Sequence, residues 1–408
     1  MLIPNKATKK PQYEIAEIFL KYGDEYKRRN PVSAHHRKVM HAISVCRTSY
    51  LGGHKEKCDK CGYEQPVYNS CRNRHCPKCQ GITARKWLAE RMKEVLNIPY
   101  FHEVFTIPHE FNILVPYNEQ IIYNILFKSA SETLLSFGRK KFGAQIGITA
   151  ILHTWGQNLS RHIHLHCIVT GGALSANKKY WISCNKEFLF DVYELSEKFR
   201  KCFCRKLRKS FNKLSFNHKA AELINSSIFE RLVKEQEEKE WVVYSKKPFA
   251  GPKSVLEYMS RYTHRIALSN RRIKNISDNG EITIDYKDYK AEDESGIAPH
   301  KELHLCSEEF IRRFLQHILP ENFVKIRFYG FMGGRDRKKN IAACKEILKT
   351  KVETEENFIE KEENICPCCG KGQMVKLAII YRDNPLLTYL SIGRQGSSPP
   401  REYCYNFA

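Results

Sequence analysis

A chain of 408 residues is long enough for two or three domains around a sizeable core. It carries 68 Lys plus Arg against 45 Asp plus Glu, and a surplus of +23 suits a polyanionic partner, of which nucleic acid is the commonest. No apolar run is long enough to span a membrane, and MLIPNKATKK lacks the apolar core of a signal peptide, so a membrane partner is not expected and a cytoplasmic, nucleoid-associated location is. In such a reducing compartment the 16 cysteines, many in close pairs, are better read as metal ligands than as disulfides.

In chain order, residues 11–45 carry apolar residues at helical spacing, and a cysteine-dense, turn-rich stretch runs from Cys46 to Cys79. ARKWLAERMKEVL reads as an amphipathic helix. YFHEVFTIP, residues 100–108, reads as a strand, and residues 118–141 as a helix. GITAILHTWG and HIHLHCIVTGG alternate like two strands, joined into a hairpin by QNLSR. A basic helical stretch covers 192–240, followed by a strand in WVVYSKKPF and a helix in VLEYMSRYTHRIA. A second hairpin is expected about the Asn-Gly turn of RRIKNISDNGEITIDYKDY, then a helix in EEFIRRFLQHIL. The acidic run at 353–364 reads as a linker to a cysteine-containing tail.

Cys58-x-x-Cys61 and Cys76-x-x-Cys79 are two pairs of the kind that form zinc knuckles, each able to point two thiolates at one tetrahedral ion. One structural Zn2+ on Cys58, Cys61, Cys76 and Cys79 is therefore expected. Cys46, His54, Cys71 and His75 lie nearby and are read as bystanders or as ligands of a second ion. The knuckle-like CPCC with Cys366, Cys368 and Cys369 has no evident partner; Cys344, Cys404 or His304 are candidates.

HIHLHC places His162, His164 and His166 at period two, so a strand would turn all three to one face. His153 lies eleven residues before His164 on the other strand of the hairpin, which brings it back beside the pair. His153, His164 and His166 are the expected ligands of a catalytic divalent ion, with His162 as a spare. Neutral imidazoles suit zinc, manganese, iron or nickel better than magnesium; a structural zinc site is the competing explanation. Tyr258 and Tyr262 are four apart and share a helix face. Alone, such a pair is ordinary core packing. Here Arg261, Arg265, Arg271 and Arg272 surround it, which fits a DNA-phosphate contact better than a core.

Together these blocks resemble the two-tyrosine HUH transposases of the insertion sequence 91 group, over roughly residues 30–345. The resemblance rests on GGHKEKCDKCGYEQPVYNSCRNRHCPKCQ, YFHEVFTIP, LHTWGQNLSRHIHLHCIVTGG, YMSRYTHRIALSNRRI and EFIRRFLQHILPENFVKIRFYGF, in that order. It implies an α+β fold: an HUH nuclease palm, an antiparallel sheet with flanking helices, plus an N-terminal zinc ribbon domain. It implies a rolling-circle, single-strand transposase in which Tyr258 and Tyr262 are nucleophiles, forming 5′-phosphotyrosyl intermediates beside Mg2+ or Mn2+. The implied partners are single-stranded element ends, target DNA and a host helicase or the replication machinery. The expected domains are 1–95, helical and zinc-binding; 96–350, the nuclease, with a helical insertion at about 176–240; and 351–408, linker and tail. Two rival readings are another HUH enzyme, a replication initiator or relaxase, and a non-catalytic zinc-dependent DNA-binding regulator.

Overall fold

The computed structural model describes residues 11–184, 189–246, 249, 254–255, 266–291, 298–349, 364–382 and 390–391. Two helices open this part of the chain, α1 (Ile15–Arg29) and α2 (Ala34–Ser44). α1 buries Ile15, Ile18, Phe19 and Tyr26 on one face. Its start is fixed by the Glu17 carboxylate, which accepts from Glu14 N at 2.9 Å, and its end carries Lys27, Arg28 and Arg29 against the helix dipole. Ser33 caps α2, its hydroxyl accepting from His36 N at 3.1 Å. Strands β1 (Gly53–Cys58) and β2 (Glu64–Tyr68) follow, then α3 (Pro77–Met92), which has proline in its first turn, where no N–H is needed.

The central sheet is built from β3 (Tyr100–Thr106), β4 (Gln145–Trp155), β5 (Arg161–Leu174), the short β6 (Trp181–Ser183), β7 (Val243–Lys246) and a later strand, Ile326–Gly330. Its order is Ile326–Gly330, β4, β5, β3, β7, with β6 on β5, and every pairing is antiparallel. The β4–β5 hairpin closes through Gly156 N donating to Ser160 O at 2.9 Å, with Leu159 in the left-handed region at φ 60°. Helix α4 (Glu119–Phe142) packs on β4 and β5 and ends in a left-handed Gly143, φ 61°. α5 (Val192–Lys209) and α6 (Ser226–Glu238) join α4 on the same side. Between helices and sheet lies the largest core, in which Phe199 and Phe203 meet Phe111 and Trp241 at ring separations of 5.3–5.8 Å wherever they meet these partners. The basic stretch 192–240 therefore supplies core residues of the central layer.

A second sheet, in the order β10, β9, β8, holds β8 (Ile273–Ile276), β9 (Glu281–Lys287) and β10 (His300–Cys306). The β8–β9 hairpin turns through Asn279-Gly280, with Gly280 at φ 87°. Helix α7 (Ser307–Leu315) follows β10 directly. With Ile326–Gly330 numbered β11, the next helix is α8 (Arg337–Ile347). A second core mixes Ile15, Ile18, Phe19, Val39 and Ile43 of the first two helices with Ile282, Ile284, Phe310 and Phe314. The third sheet pairs β1 with β2 on one side and, on the other, with β12 (Met374–Ile380) from near the far end of the chain; β13 (Leu390–Ser391) pairs with β12. The fold is α+β with antiparallel sheets and flanking helices, as expected. The cysteine tail does not stand apart: it supplies a strand to the sheet that carries the first knuckle.

Candidate metal centres and the histidine face

Strand parity decides what β5 presents on each side. Ile163, Leu165, Cys167 and Val169 point into the helix-covered core, as do Ile148, Ala150 and Leu152 of β4. The opposite parity carries His162, His164, His166 and Ile168 on β5, and His153 and Trp155 on β4. In register, His153 is paired with His164. The donor atoms of His153, His164 and His166 lie within 4.8 Å of one another. His153 and His166 are buried, His164 is half-buried, and His162 is exposed and outside the cluster.

Tautomers follow from the outer ring nitrogens. His164 Nδ1 is 3.0 Å from the His162 carbonyl oxygen, which can only accept, so Nδ1 carries the proton and Nε2 keeps its lone pair. His164 Nε2 sits 3.1 Å from His166 Nε2. On the neighbouring strand β3, His102 Nε2 is 2.9 Å from His166 Nδ1 and the two rings stack at 5.2 Å. With His166 Nδ1 donating to His102, two Nε2 lone pairs face each other, an arrangement that a cation between them satisfies. Burial holds His164 well below the usual imidazole range and His102 down to about 3, so both stay neutral near pH 7. His102 was not singled out in the sequence; its signal, a histidine in YFHEVFTIP with the parity of the sheet face, is legible only once β3 is known to lie next to β5. Trp155 stacks on His153 at 4.7 Å. Beyond Trp155 a cavity of about 170 Å³ is lined by Arg74, His75, Ile266, Ala267, His317 and Lys325.

Tyr258, Tyr262, Arg261 and Arg265 lie outside the described residues. On one side of them, Val255 is buried in a third core with Ile168 of the histidine face and Tyr100 of β3. On the other, Ile266 lines the cavity beside Trp155. Arg271 is exposed, as a phosphate contact requires. Arg272 is not available in the same way: its guanidinium donates to the carbonyls of Asp285 at 2.7 Å, Ala267 at 3.5 Å and Gln157. It ties β9 to the β4–β5 turn from a half-buried position.

The four expected zinc cysteines are not brought together, and the proposed grouping is corrected. Cys76 and Cys79 cluster with Cys46 and Cys71, while Cys58 and Cys61 cluster with Cys366 and Cys369. The reason is local. β1 and β2 form a hairpin that carries Cys58 and Cys61 to its turn. The loop after β2 then turns back through Arg72, at φ 54°, setting Cys71 against the start of α3. Cys46, just past α2, meets the same helix start. Cys79 Sγ is 3.6 Å from both Cys46 Sγ and Cys71 Sγ. A tetrahedral ion with Zn–S bonds of about 2.3 Å separates its sulfurs by about 3.8 Å, so this set fits zinc and is too open for a disulfide.

A histidine-bearing antiparallel sheet joined to cysteine tetrads defines a metal-binding α+β protein. Comparisons with known proteins carry this further. Residues 18–107 match the family described as "Transposase zinc-binding domain", and residues 147–340 match the family described as "Putative transposase". The chain is 41% identical over 384 residues to "Putative transposase y4qJ" of Sinorhizobium fredii, covering 90% of this chain and 95% of that one. It is 25% identical over 320 residues to "Transposase for insertion sequence element IS801" of Pseudomonas savastanoi pv. phaseolicola, covering 75% of this chain and 72% of the relative. No solved structure matches the chain. The chain belongs to the insertion sequence 91 family of transposases, with its zinc-binding domain, and is thus an enzyme acting on DNA. The matched domain and the cysteine clusters support structural zinc. Among the described residues no helix is long and apolar enough to cross a membrane.

Proposed function

We propose that this transposase nicks and rejoins single-stranded DNA at the ends of its element by a rolling-circle route, with tyrosine as nucleophile and a divalent ion on His153, His164 and His166. The observation that carries this reading is the convergence of three imidazoles from paired strands on one sheet face, their ring nitrogens within 4.8 Å of one another. Val255 and Ile266, which flank the Tyr258–Tyr262 segment, both pack on that side of the sheet, and this supports bringing a tyrosine to the same phosphate.

His153, His164 and His166 would hold the ion, and the set suits Mn2+ better than Mg2+. When bound, the ion polarises the scissile phosphate and stabilises the charge that develops on it. His102 fixes the ring orientation of His166, and the His162 carbonyl does the same for His164. A phenol oxygen of Tyr258 or Tyr262 attacks phosphorus, losing its proton. The P–O3′ bond breaks, the 3′ oxygen takes up a proton, and a 5′-phosphotyrosyl ester remains that stores the bond for rejoining. The second tyrosine receives a strand while the first is occupied. Arg261, Arg265 and Arg271 are assigned to phosphates. The cysteine-bound module helps read the element ends, and a host helicase supplies the single strand.

The test is incubation with single-stranded element ends and capture of a covalent adduct. Each of Tyr258→Phe and Tyr262→Phe should lose transposition, at least one should still form the adduct, and the double variant should form none. An adduct from the double variant would overturn the tyrosine assignment.

A further inference from the structure

Cys366-Pro-Cys-Cys369-Gly370 repeats the pattern of Cys58-Asp-Lys-Cys61-Gly62, and the structure folds the two alike. In the first, the amides of Lys60 and Cys61 each point at Cys58 Sγ at 3.4 Å, and Gly62 N donates to Cys58 O at 3.2 Å with φ 74°. In the second, Cys368 N points at Cys366 Sγ at 3.4 Å, Gly372 N at Cys369 Sγ at 3.4 Å, and Gly370 N donates to Cys366 O at 2.9 Å with φ 63°. Amides aimed at sulfur favour thiolate over thiol. Left-handed glycine permits the tight turn that points both sulfurs of a pair the same way.

The two turns are built against each other. β1 and β12 pair with Cys58 opposite Met374. Asp59 N donates to Gln373 O at 3.1 Å, and Gln373 N donates to Asp59 Oδ1 at 2.9 Å. A side chain at Gly372 would collide with Cys58 Sγ, so glycine is required for the approach. The sulfurs then stand at 3.8 Å (Cys58 to Cys369) and 3.6 Å (Cys61 to Cys366). These are the edges of a tetrahedron around an ion with Zn–S bonds of about 2.3 Å, far from the roughly 2.05 Å of a disulfide. All four cysteines are free thiols. Cys368 is exposed and outside the set. Neither matched family model reaches residues 364–382.

We propose that Cys58, Cys61, Cys366 and Cys369 hold a second structural zinc, a clasp that fastens the segment 364–382 to the N-terminal module. Four thiolates leave no open position, so this ion takes no part in DNA cleavage. It rests on the cysteine geometry alone and stands whether or not the histidine site works as proposed.

The experiment is zinc analysis and cobalt(II) substitution of the full chain, each in a His164→Ala, His166→Ala background so that only cysteine-bound metal is counted. Two zinc ions per chain are expected. Cys366→Ser with Cys369→Ser should halve both the zinc content and the thiolate-to-cobalt absorption, Cys76→Ser should also halve them, and Cys368→Ser should leave them unchanged. Undiminished metal in the Cys366/Cys369 variant overturns the proposal. So does a parent count of one that Cys76→Ser abolishes and Cys369→Ser does not, a comparison that still decides the matter if the double variant fails to fold.

Discussion

His102 sits one shell behind the proposed ion, its Nε2 2.9 Å from His166 Nδ1. Replacing it with Ala removes the group that orients His166 without removing a ligand. Such losses weaken metal binding by about 10–100-fold. The Mn2+ concentration giving half-maximal nicking should rise by that factor, with the rate restored at saturating metal; a rate that stays low at saturation would mean His102 acts in some other way. The arginines divide by the same logic of partners. Arg271→Ala should lower the salt slope of DNA binding by about one, because one phosphate contact is lost. Arg272→Ala should leave that slope alone and cost about 1 kcal/mol in denaturant unfolding, since the half-buried carbonyls of Asp285 and Gln157 lose their donor. Equal slopes for wild type and Arg271→Ala would remove Arg271 from the interface.

At the scale of elements, alternation along HIHLHC made the histidine face legible, because period two dictates side in any strand whose other side is buried. The hairpin brought His153 back by register for the same reason. What alternation could not give was the strand on the far side of β5: the pairing of Val104 with His166 that brings His102 in is long-range, and no local pattern encodes it. The zinc ligands were misgrouped for a related reason. Nearness in sequence favoured joining Cys58 and Cys61 to Cys76 and Cys79, but the β1–β2 hairpin moves the first pair away from the start of α3. The helices over the sheet depend on aromatic packing. Phe203 is fully buried against Phe111 and Trp241, so Phe203→Ala should cost about 3–5 kcal/mol by chemical denaturation. A cost below 1 kcal/mol would mean that α5 is not part of the main cooperative unit.

Over the whole molecule, stability should fall on acidification. His317 is buried between the Leu159 carbonyl oxygen, 3.1 Å from its Nε2, and Thr154 Oγ1, 3.3 Å from its Nδ1. Burial pushes it down to about 3 from a usual 6.5. The unfolded chain therefore takes up a proton that the folded one refuses, and stability drops as pH falls from 6.5 towards 3. At pH 5 this amounts to about 2 kcal/mol. His317→Gln, which does not titrate, should flatten the fall in unfolding free energy between pH 7 and 5; an unchanged slope would assign the acid sensitivity elsewhere. The larger plan was only partly open to sequence reading. The β4–β5 and β8–β9 hairpins, the helices about α4 and α7, and strands β3, β4, β5 and β7 of the central sheet were visible. The core shared by α1, α2, α7 and β9 was not, because each contributes an ordinary amphipathic face that says nothing about its partner.

The pairing of β1 with β12 also sets an order of events during synthesis. Translation reaches Cys58 about 300 residues before it reaches the strand that lies beside it, an interval of roughly 15–60 s at ordinary bacterial rates. Through that interval β1 has β2 on one side and an open edge on the other, and open edges recruit other strands. A chain cut at residue 350 keeps that edge permanently, so it should associate or precipitate where the full chain does not, as size-exclusion chromatography would reveal. The sheet begun at β1 is thus finished only after every strand of the central sheet has been made, and a chain broken off before residue 374 never completes it.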